Sequence, residues 1–381
     1  MNQTTKWIAG IIITIVVIAI GYSVIKGPSK PPKETTPIKI GAILPLSGGA
    51  AIWGEQLKNG MELAVKNLLK DGVTVDIIYE DSQASPSIGL SAYNKLVNIE
   101  KVDVIFSAFS RVSAPLISLS KENKVPLVMT VAVLNDAPAQ NKFTYRLYLT
   151  ANEYIDPYFN SFLNKDSYRS ISVLYINDEY GVSVRDKIRK QASKNNIDII
   201  SEESFLPGNS DFRTQLSKIK SAKPDDVIFV GAIPPELTNA LTQFNELGVK
   251  ADFIEAGLLL SLPAVRGNLK DVINGIDGKV YTLSLASFET RDEGRKFITE
   301  YEEAYSNKPT FIAPIGYDMV NFVYDVTGGK HTTGDEFVSK ANKLKTLNTI
   351  TNGKLKIDDN GEINPIPVSA LISNGDLITV E

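Results

Sequence analysis

The chain has 381 residues, 43% hydrophobic and 22% charged, which is typical of a globular protein long enough for two or three domains. The net charge of −4 and pI of about 5.4 indicate no general basic surface, so we predict no nucleic-acid partner. The absence of cysteine excludes disulfides, thiolate metal sites and cysteine nucleophiles. No Gly-x-Ser-x-Gly or His-Glu-x-x-His motif occurs, and we predict no catalytic residue, metal site or cofactor.

An apolar segment lies near the start of the chain. Residues 7–25 are uncharged and dominated by Ile and Val, and a helix of this length reaches roughly the ~30 Å of a hydrocarbon core. Because Ala19-Ile20-Gly21 is a poor cleavage site, we favour an uncleaved transmembrane anchor at residues 1–26 over a cleaved signal. Residues 27–37 contain four prolines and are typical of a stiff, extended tether.

The stretch 38–69 predicts a strand, a loop and a helix. Apolar residues alternate from Ile38 to Leu44, the run Pro45-Leu46-Ser47-Gly48-Gly49 breaks the pattern, and apolar residues then recur at helical spacing. In open α/β sheets, ligands bind in the crevice at the carboxyl ends of the strands, where this loop falls. Trp53 and Gly54 stand at the start of the helix.

Strand and helix patterns alternate through most of the remaining chain. One series runs to about Arg146 and a second runs from Ile171 to about residue 254, which predicts an α/β fold with parallel strands in two similar lobes. The third part is mixed, with two helices and a predicted hairpin at residues 353–361.

Several of these segments resemble the leucine/isoleucine/valine-binding family of type I periplasmic solute-binding proteins. The resemblance rests on the Pro-Leu-Ser-Gly loop at 45–48, the Trp53-Gly54 pair, the Leu-Ala-Val run at 63–65, the Tyr180-Gly181 loop and the Asp211-Phe212 helix start. It implies two doubly wound parallel-sheet lobes, joined by a hinge that the chain crosses three times and preceded by one N-terminal transmembrane or signal helix. The implied lobes are residues 38–150 plus 281–362, and 151–280 plus 363–381.

The resemblance also implies where a ligand binds. Amino-acid-binding members hold the ligand between the lobes, its carboxylate on a serine hydroxyl and backbone N–H groups. The matching positions here are Trp53, Ser110 and Tyr180, and Arg111 stands beside Ser110 with a guanidinium that suits carboxylates. Each position has a plainer interpretation: helix-start packing for Trp53, an N-cap for Ser110, interlobe packing for Tyr180 and a solvated surface for Arg111.

The chain departs from the family pattern where an amino acid's ammonium group is bound. Val133 stands in place of the threonine, Ile233 in place of an aromatic, and Gly257 in place of the acidic residue. A valine cannot accept a hydrogen bond from ammonium, and an unpaired buried charge is costly. Two possibilities remain open. Either Glu255, Thr130 or Asp136 substitutes, or the ligand is not an α-amino acid, since relatives also bind amides, urea and aromatic acids.

The resemblance therefore implies an extracytoplasmic receptor that captures a small amino-acid-like ligand by hinge closure and delivers it to an ABC permease. We expect it to be anchored through its N-terminal helix, or to be secreted or periplasmic if that segment is cleaved. Alternatives are a sensing receptor that signals to a partner, an enzyme on the same fold, and a surface domain without a ligand.

Three further features have plainer interpretations. The loop at 47–49 is not followed by the Lys-Ser/Thr pair of a P-loop, so nucleotide binding is not expected there. A solvated sheet edge explains Asp76, Glu80 and Asp81 better than a metal site does. An exposed loop explains His331 better than a catalytic base does.

Overall fold

The computed structural model describes residues 36–134, 137–163 and 170–380. Among these residues, none of the helices is both long and apolar enough to cross a bilayer. The anchor predicted at residues 1–26 lies outside the described residues, as does most of the tether.

Strands and helices alternate along the described chain. The strands are β1 (Ile38–Leu44), β2 (Val75–Asp81), β3 (Val104–Ala108), β4 (Leu127–Thr130), β5 (Thr144–Leu147), β6 (Ser170–Ile176), β7 (Asp198–Phe205), β8 (Asp226–Val230), β9 (Asp252–Glu255), β10 (Val280–Ser284), β11 (Thr346–Thr349), β12 (Gly353–Lys356), β13 (Glu362–Ile363), β14 (Val368–Ser373) and β15 (Asp376–Thr379). The α-helices are α1 (Ala51–Lys70), α2 (Pro86–Asn98), α3 (Ser110–Asn123), α4 (Ala151–Tyr158), α5 (Glu179–Lys194), α6 (Arg213–Ala222), α7 (Pro234–Glu246), α8 (Pro263–Asn268), α9 (Lys270–Asn274), α10 (Asp292–Tyr305), α11 (Ile312–Thr327) and α12 (Gly334–Ala341).

Two sheets organise the molecule, and each defines a lobe. The first lobe's sheet has the order β13-β5-β4-β3-β1-β2 with parallel pairing throughout. The second lobe's sheet has the order β15-β14-β10-β9-β8-β6-β7, parallel except for β14 and β15 at one edge. Both therefore contain the doubly wound order 2-1-3-4-5. The predicted parallel α/β architecture of a type I periplasmic binding fold is confirmed.

Burial and charge distinguish the central strands of the two sheets from the edge strands. β3 and β8 are buried along their whole length, as expected for parallel strands covered by helices on both faces, and β8 carries a single charged residue. The edge strands β2 and β7 carry three charged residues each, and they present charges where an apolar edge would invite pairing with other chains.

The chain passes between the two sheets three times. It leaves the first sheet after β5, returns after β10, and leaves again between β13 and β14. The predicted boundary between residues 280 and 281 falls inside β10, whose pairing with β9 and β14 keeps it in the second sheet. The second crossing therefore lies after Ser284.

The predicted hairpin at residues 353–361 is displaced. The hairpin pairs β11 with β12, so residue 353 begins its second strand and the turn lies at residues 350–352. The Asp318 carboxylate fixes this turn, because it accepts hydrogen bonds from the backbone N–H groups of Ile350 and Thr351 at 2.6 and 3.0 Å. Asp318 is 32 positions away from Ile350, so no local pattern indicates this turn.

Helices α1 and α11 approach each other closely at two glycines. A Cβ atom added to Gly60 would lie 1.9 Å from the carbonyl oxygen of Ala313, and one added to Gly316 would lie 2.2 Å from that of Leu57. Both clashes are with backbone atoms, which cannot swing aside. The crossing therefore depends on these two glycines.

We expect Gly60→Ala and Gly316→Ala each to destabilise the protein by about 2 kcal/mol or more, because overpacking outweighs the ~1 kcal/mol gain in helix propensity. Gly267→Ala is the matched control, since a Cβ on that glycine of α8 meets no atom within 4 Å. Thermal unfolding measures all three. Equal midpoints for Gly60→Ala and Gly267→Ala would contradict the close crossing.

A buried carboxyl group lies at the amino end of the second sheet. Asp226 opens β8, is 0% exposed, and has no hydrogen-bond partner for either carboxylate oxygen among the described residues. Asp252 lies directly opposite on β9. Burial, and then the neighbouring carboxylates of Asp252 and Asp225, raise the pKa of Asp226 to about 8. The folded protein thus retains a proton that the unfolded chain releases near pH 4.

This difference makes the free energy of unfolding fall as the pH rises from about 4 to 8, because the unfolded state ionises first. We expect Asp226→Asn to leave stability nearly unchanged at pH 4 and to raise it at pH 8 by on the order of 3 kcal/mol. Asp71→Asn, at an exposed residue directly after α1 in the first lobe, serves as the control. Denaturant unfolding at both pH values measures the difference, and a gain independent of pH would contradict an uncharged Asp226.

Candidate functional site

One cavity lies where the carboxyl ends of the two sheets meet. It holds about 430 Å³ of atom-free space, counting its mouth. The first lobe contributes residues that follow β1, β3 and β4, and the second lobe contributes residues that follow β6, β8 and β9. These positions include the topological switch point of each sheet, where doubly wound folds bind ligands. All five predicted site residues line this cavity: Trp53, Ser110, Arg111, Tyr180 and Glu255.

Trp53 lies in the first turn of α1 and is 3% exposed. Its ring meets Phe109 edge-on at 6.2 Å between centroids and Phe311 at 5.8 Å. Its indole nitrogen has no hydrogen-bond partner among the described residues. Trp53 therefore packs against neighbouring aromatic rings, as its plainer interpretation predicts, and it also forms part of the cavity wall.

Ser110 joins two loops of the first lobe. Its hydroxyl accepts a hydrogen bond from the N–H of Val133 at 2.9 Å and donates one to the carbonyl of the same residue at 3.3 Å. Two other cavity-lining residues, Phe109 and Val131, have φ angles of 75° and 48°. Positive φ is costly for side chains of this size, and such strain concentrates at functional sites.

The loop that carries Val133 is fixed by hydrogen bonds from the Arg146 side chain. This side chain is 1% exposed, and its Nη1 donates to the carbonyls of Ala132 and Leu134 at 3.0 and 2.7 Å. Its Nε and Nη2 donate to the two carboxylate oxygens of Glu362, which lies opposite Arg146 on β13. Burial raises the pKa of Glu362 while this pair lowers it, and burial prevails. One guanidinium thus links the site loop to the strand before the third crossing.

Glu255 lies at the end of β9 and is 1% exposed. Its Oε2 accepts hydrogen bonds from the Thr282 hydroxyl at 2.6 Å and the Leu260 N–H at 3.4 Å, whereas its Oε1 has no partner among the described residues. Burial raises the pKa of Glu255 to about 7. A Cβ on Gly257 would lie 2.2 Å from Oε1, so the Glu255 carboxylate occupies the space that a side chain at residue 257 would enter.

Three tyrosines pack around this carboxylate-bearing loop. The hydroxyl of Tyr180 donates to the carbonyl of Ala256 at 3.0 Å, and that of Tyr158 to the carbonyl of Glu255 at 2.6 Å. The ring of Tyr154 meets that of Tyr180 edge-on at 5.8 Å. Tyr154 and Tyr158 belong to α4, directly after the first crossing, so this helix supports the loop of the second lobe that faces the cavity.

Two contacts join the lobes across the cavity mouth. A Cβ on Gly49 of the first loop would lie 3.1 Å from the Ile233 side chain. The Arg111 guanidinium lies 3.9 Å from a carboxylate oxygen of Asp178, which caps α5. The two lobes are therefore in contact beside the cavity.

Other sequence features lie elsewhere. Thr130 donates its hydroxyl to the carbonyl of Leu147 at 3.1 Å, and Asp136 lies outside the described residues. Asp81 accepts hydrogen bonds from the Ser47 hydroxyl and from the Leu46 N–H, and the described residues contain no group of three or more acidic or His side chains arranged to hold a metal. His331 is 60% exposed and pairs with Asp103, away from the cavity.

Sequence reasoning missed Tyr154, Asp178 and Phe109 as wall residues. Asp178 has a local signal, because it precedes α5 in the loop that carries Tyr180. Tyr154 has none, because it reaches the cavity from α4 only through the hinge geometry.

The fold and cavity define a two-lobe binding protein. The model of the periplasmic binding protein family matches residues 37–369, and the chain belongs to this family. The predicted resemblance is confirmed.

Three relatives illustrate the range of the likeness. The Leu/Ile/Val-binding protein homolog 3 of Brucella melitensis is 26% identical over 219 residues, which is 56% of this chain and 59% of that relative, so the match spans less than two thirds of its length. The branched-chain amino acid transporter substrate-binding protein LivJ from Streptococcus pneumoniae, solved with isoleucine, has a TM-score of 0.75 at 18% identity, over 91% of this chain and 99% of that one. A solute-binding protein of an ABC transporter from R. palustris, solved with benzoate, has a TM-score of 0.77 at 17% identity, over 90% and 95%.

We expect Arg146→Met to destabilise the protein by about 3–5 kcal/mol, because it leaves the Glu362 carboxylate buried without its partner. Lys345→Met is the matched control, since it breaks the exposed Lys345–Asp359 pair and should cost about 1 kcal/mol or less. Denaturant unfolding measures both variants. Similar losses in the two would show that Arg146 does not organise the loop.

Proposed function

We propose that this protein is an extracytoplasmic solute-binding receptor that captures a small polar ligand between its lobes and delivers it to an ABC permease. The observation that carries the proposal is the cavity, whose walls come from both lobes at the carboxyl ends of both sheets. A ligand that contacts both walls favours the closed arrangement over the open one by its differential affinity, which is hinge closure. No bond is made or broken in this mechanism.

The polar groups of the cavity support an amino acid or a related acid or amide as ligand. The unpartnered Oε1 of Glu255 is an acceptor suited to an ammonium group, in the space above Gly257 where the family pattern has its acidic residue. Val133 contributes no hydroxyl, which fits a ligand with fewer donors at that end. Relatives solved with isoleucine and with benzoate represent these two chemistries.

We further propose that residues 1–26 stay on the mature protein as a single-pass anchor, with the binding domain outside the membrane, and that residues 27–37 hold it off the surface. The poor cleavage site supports the anchor. N-terminal sequencing of protein recovered from membranes tests this, and a mature terminus at or after Tyr22 would refute it.

Thermal unfolding of the full-length protein against aliphatic and polar amino acids, amides, urea and aromatic acids tests the receptor. A ligand bound only by the native state at ~100 times its Kd adds about 2.7 kcal/mol of stability. A Trp7→Phe variant leaves Trp53 as the only tryptophan, so its fluorescence reports whether that ligand enters the cavity. A panel without any shift, or a shift without a change at Trp53, would count against the proposal.

If the ligand is an α-amino acid, we expect its affinity to rise between pH 6 and pH 8, because Glu255 with a pKa of about 7 gains its charge over that range. Glu255→Gln should remove this rise and weaken binding at pH 8 by about tenfold or more. Asp318→Asn is the matched control, since burial raises the pKa of Asp318 to about 7 but the side chain lies at the β11–β12 turn. Calorimetric titration at each pH measures the affinities. An unchanged pH profile in Glu255→Gln would exclude an ammonium contact at this residue.

A further inference from the structure

Arg111 has fewer acceptors than its burial requires. It stands in the first turn of α3, its side chain is 13% exposed, and it lines the cavity. Its Nε is buried without a hydrogen-bond partner among the described residues, and the 3.9 Å approach to Asp178 is longer than a hydrogen bond. A guanidinium carries five N–H donors, and a buried donor left unsatisfied costs about 1–3 kcal/mol.

A second buried arginine of the same lobe provides the comparison. Arg146 directs its donors to two carbonyls and to both oxygens of Glu362. That is what a purely structural guanidinium looks like in this fold. Arg111 differs in that its donors are incompletely used and it borders open space.

Asp178 neutralises Arg111 without completing its hydrogen bonds. One carboxylate oxygen of Asp178 accepts from the Gly181 N–H at 3.0 Å and so caps α5. This cap ties the carboxylate to the second lobe. Burial raises the pKa of Asp178, and this effect outweighs the lowering by Arg111.

The hydroxyl of the neighbouring serine already has partners within the first lobe. A serine hydroxyl has one donor, and that of Ser110 is directed to the Val133 carbonyl at 3.3 Å. The group next along α3 with donors to spare is the Arg111 guanidinium. It also lies at the amino end of a 14-residue helix, whose dipole favours a negative charge.

We infer that Arg111, rather than the Ser110 hydroxyl, binds a carboxylate of the ligand, and that the protein selects acids over their amides. This rests on the proposed function and adds its specificity. The remaining wall around Arg111 is largely apolar, with Val131, Val133, Leu258 and Leu259, so the acid has an apolar body. A planar guanidinium matches two carboxylate oxygens at once, whereas an amide offers one oxygen and two competing donors.

Calorimetric titration of the full-length protein with matched pairs, leucine with leucinamide and benzoate with benzamide, tests the inference. We expect the better acid to bind at least tenfold more tightly than its amide. In Arg111→Met the affinity for the acid should fall at least tenfold while that for the amide stays within about twofold. Arg111→Lys, which keeps the charge but not the fork, should retain part of the preference.

Two further variants separate ligand contact from structure. Arg185→Met is the matched control, because Arg185 is 17% exposed, pairs with Asp186 and Tyr175, and does not line the cavity; its acid preference should be that of the wild type. Asp178→Asn keeps the helix cap but removes the negative charge that faces Arg111, so the acid should bind more tightly than to the wild type while the amide is little changed.

Several results would overturn the inference. An amide bound as tightly as its acid by the wild type would do so without any variant. If Arg111→Met and Asp178→Asn both lowered the affinities for acid and amide equally, the Arg111–Asp178 pair would be only a contact between the lobes. If no member of either pair binds but an uncharged solute from the wider panel does, the proposed receptor stands and the acid preference fails. If nothing binds, both fail.

Discussion

The buried guanidinium of Arg146 is the constraint on which the first lobe depends. It bonds to two carbonyls of the site loop and to a carboxylate 216 positions later, and it is 1% exposed. A buried charge is tolerated only when its donors are satisfied, so these segments have to assemble together. The loop that presents Val133 to Ser110 is therefore positioned by a strand from the far end of the chain.

The two lobes share a strand order but present different chemistry to the cavity. The first lobe offers donors, at Arg111 and at the amino end of α3, and strained backbone at Phe109 and Val131. The second lobe offers an acceptor at Glu255, supported by tyrosine hydroxyls. On the proposed function, a small molecule with both an acidic and a basic group would be complementary only to the two lobes together.

Much of this arrangement is readable from the sequence, because the chemistry follows the strands. Trp53, Ser110 and Tyr180 each stand just after a predicted strand, and the carboxyl ends of parallel strands meet at one edge. The family pattern was needed to connect the two lobes, because nothing local in the chain indicates that residues 110 and 255 share a cavity. Whether these residues hold a ligand stays a prediction.

The rest could not be predicted because its partners are distant in the chain. Glu362 and Arg146, like Asp318 and the turn at Ile350, are joined by side chains from separate elements. The boundary after Ser284 also escaped prediction, because an apolar strand reads the same in either sheet. Tyr154 enters the cavity only because the first crossing turns α4 towards β9.

The position of β13 in the first sheet affects the order in which the chain can fold during synthesis. This strand, Glu362–Ile363, is the outer neighbour of β5 and the acceptor for Arg146, yet it precedes the end of the 381-residue chain by fewer than twenty residues. The first lobe, although it begins the folded region, cannot be completed until the second-sheet strands β6 to β10 have also been synthesised. The second lobe likewise awaits β14 and β15. Such long-range pairing slows folding and leaves an emerging chain without a completed lobe until strands of both sheets are present.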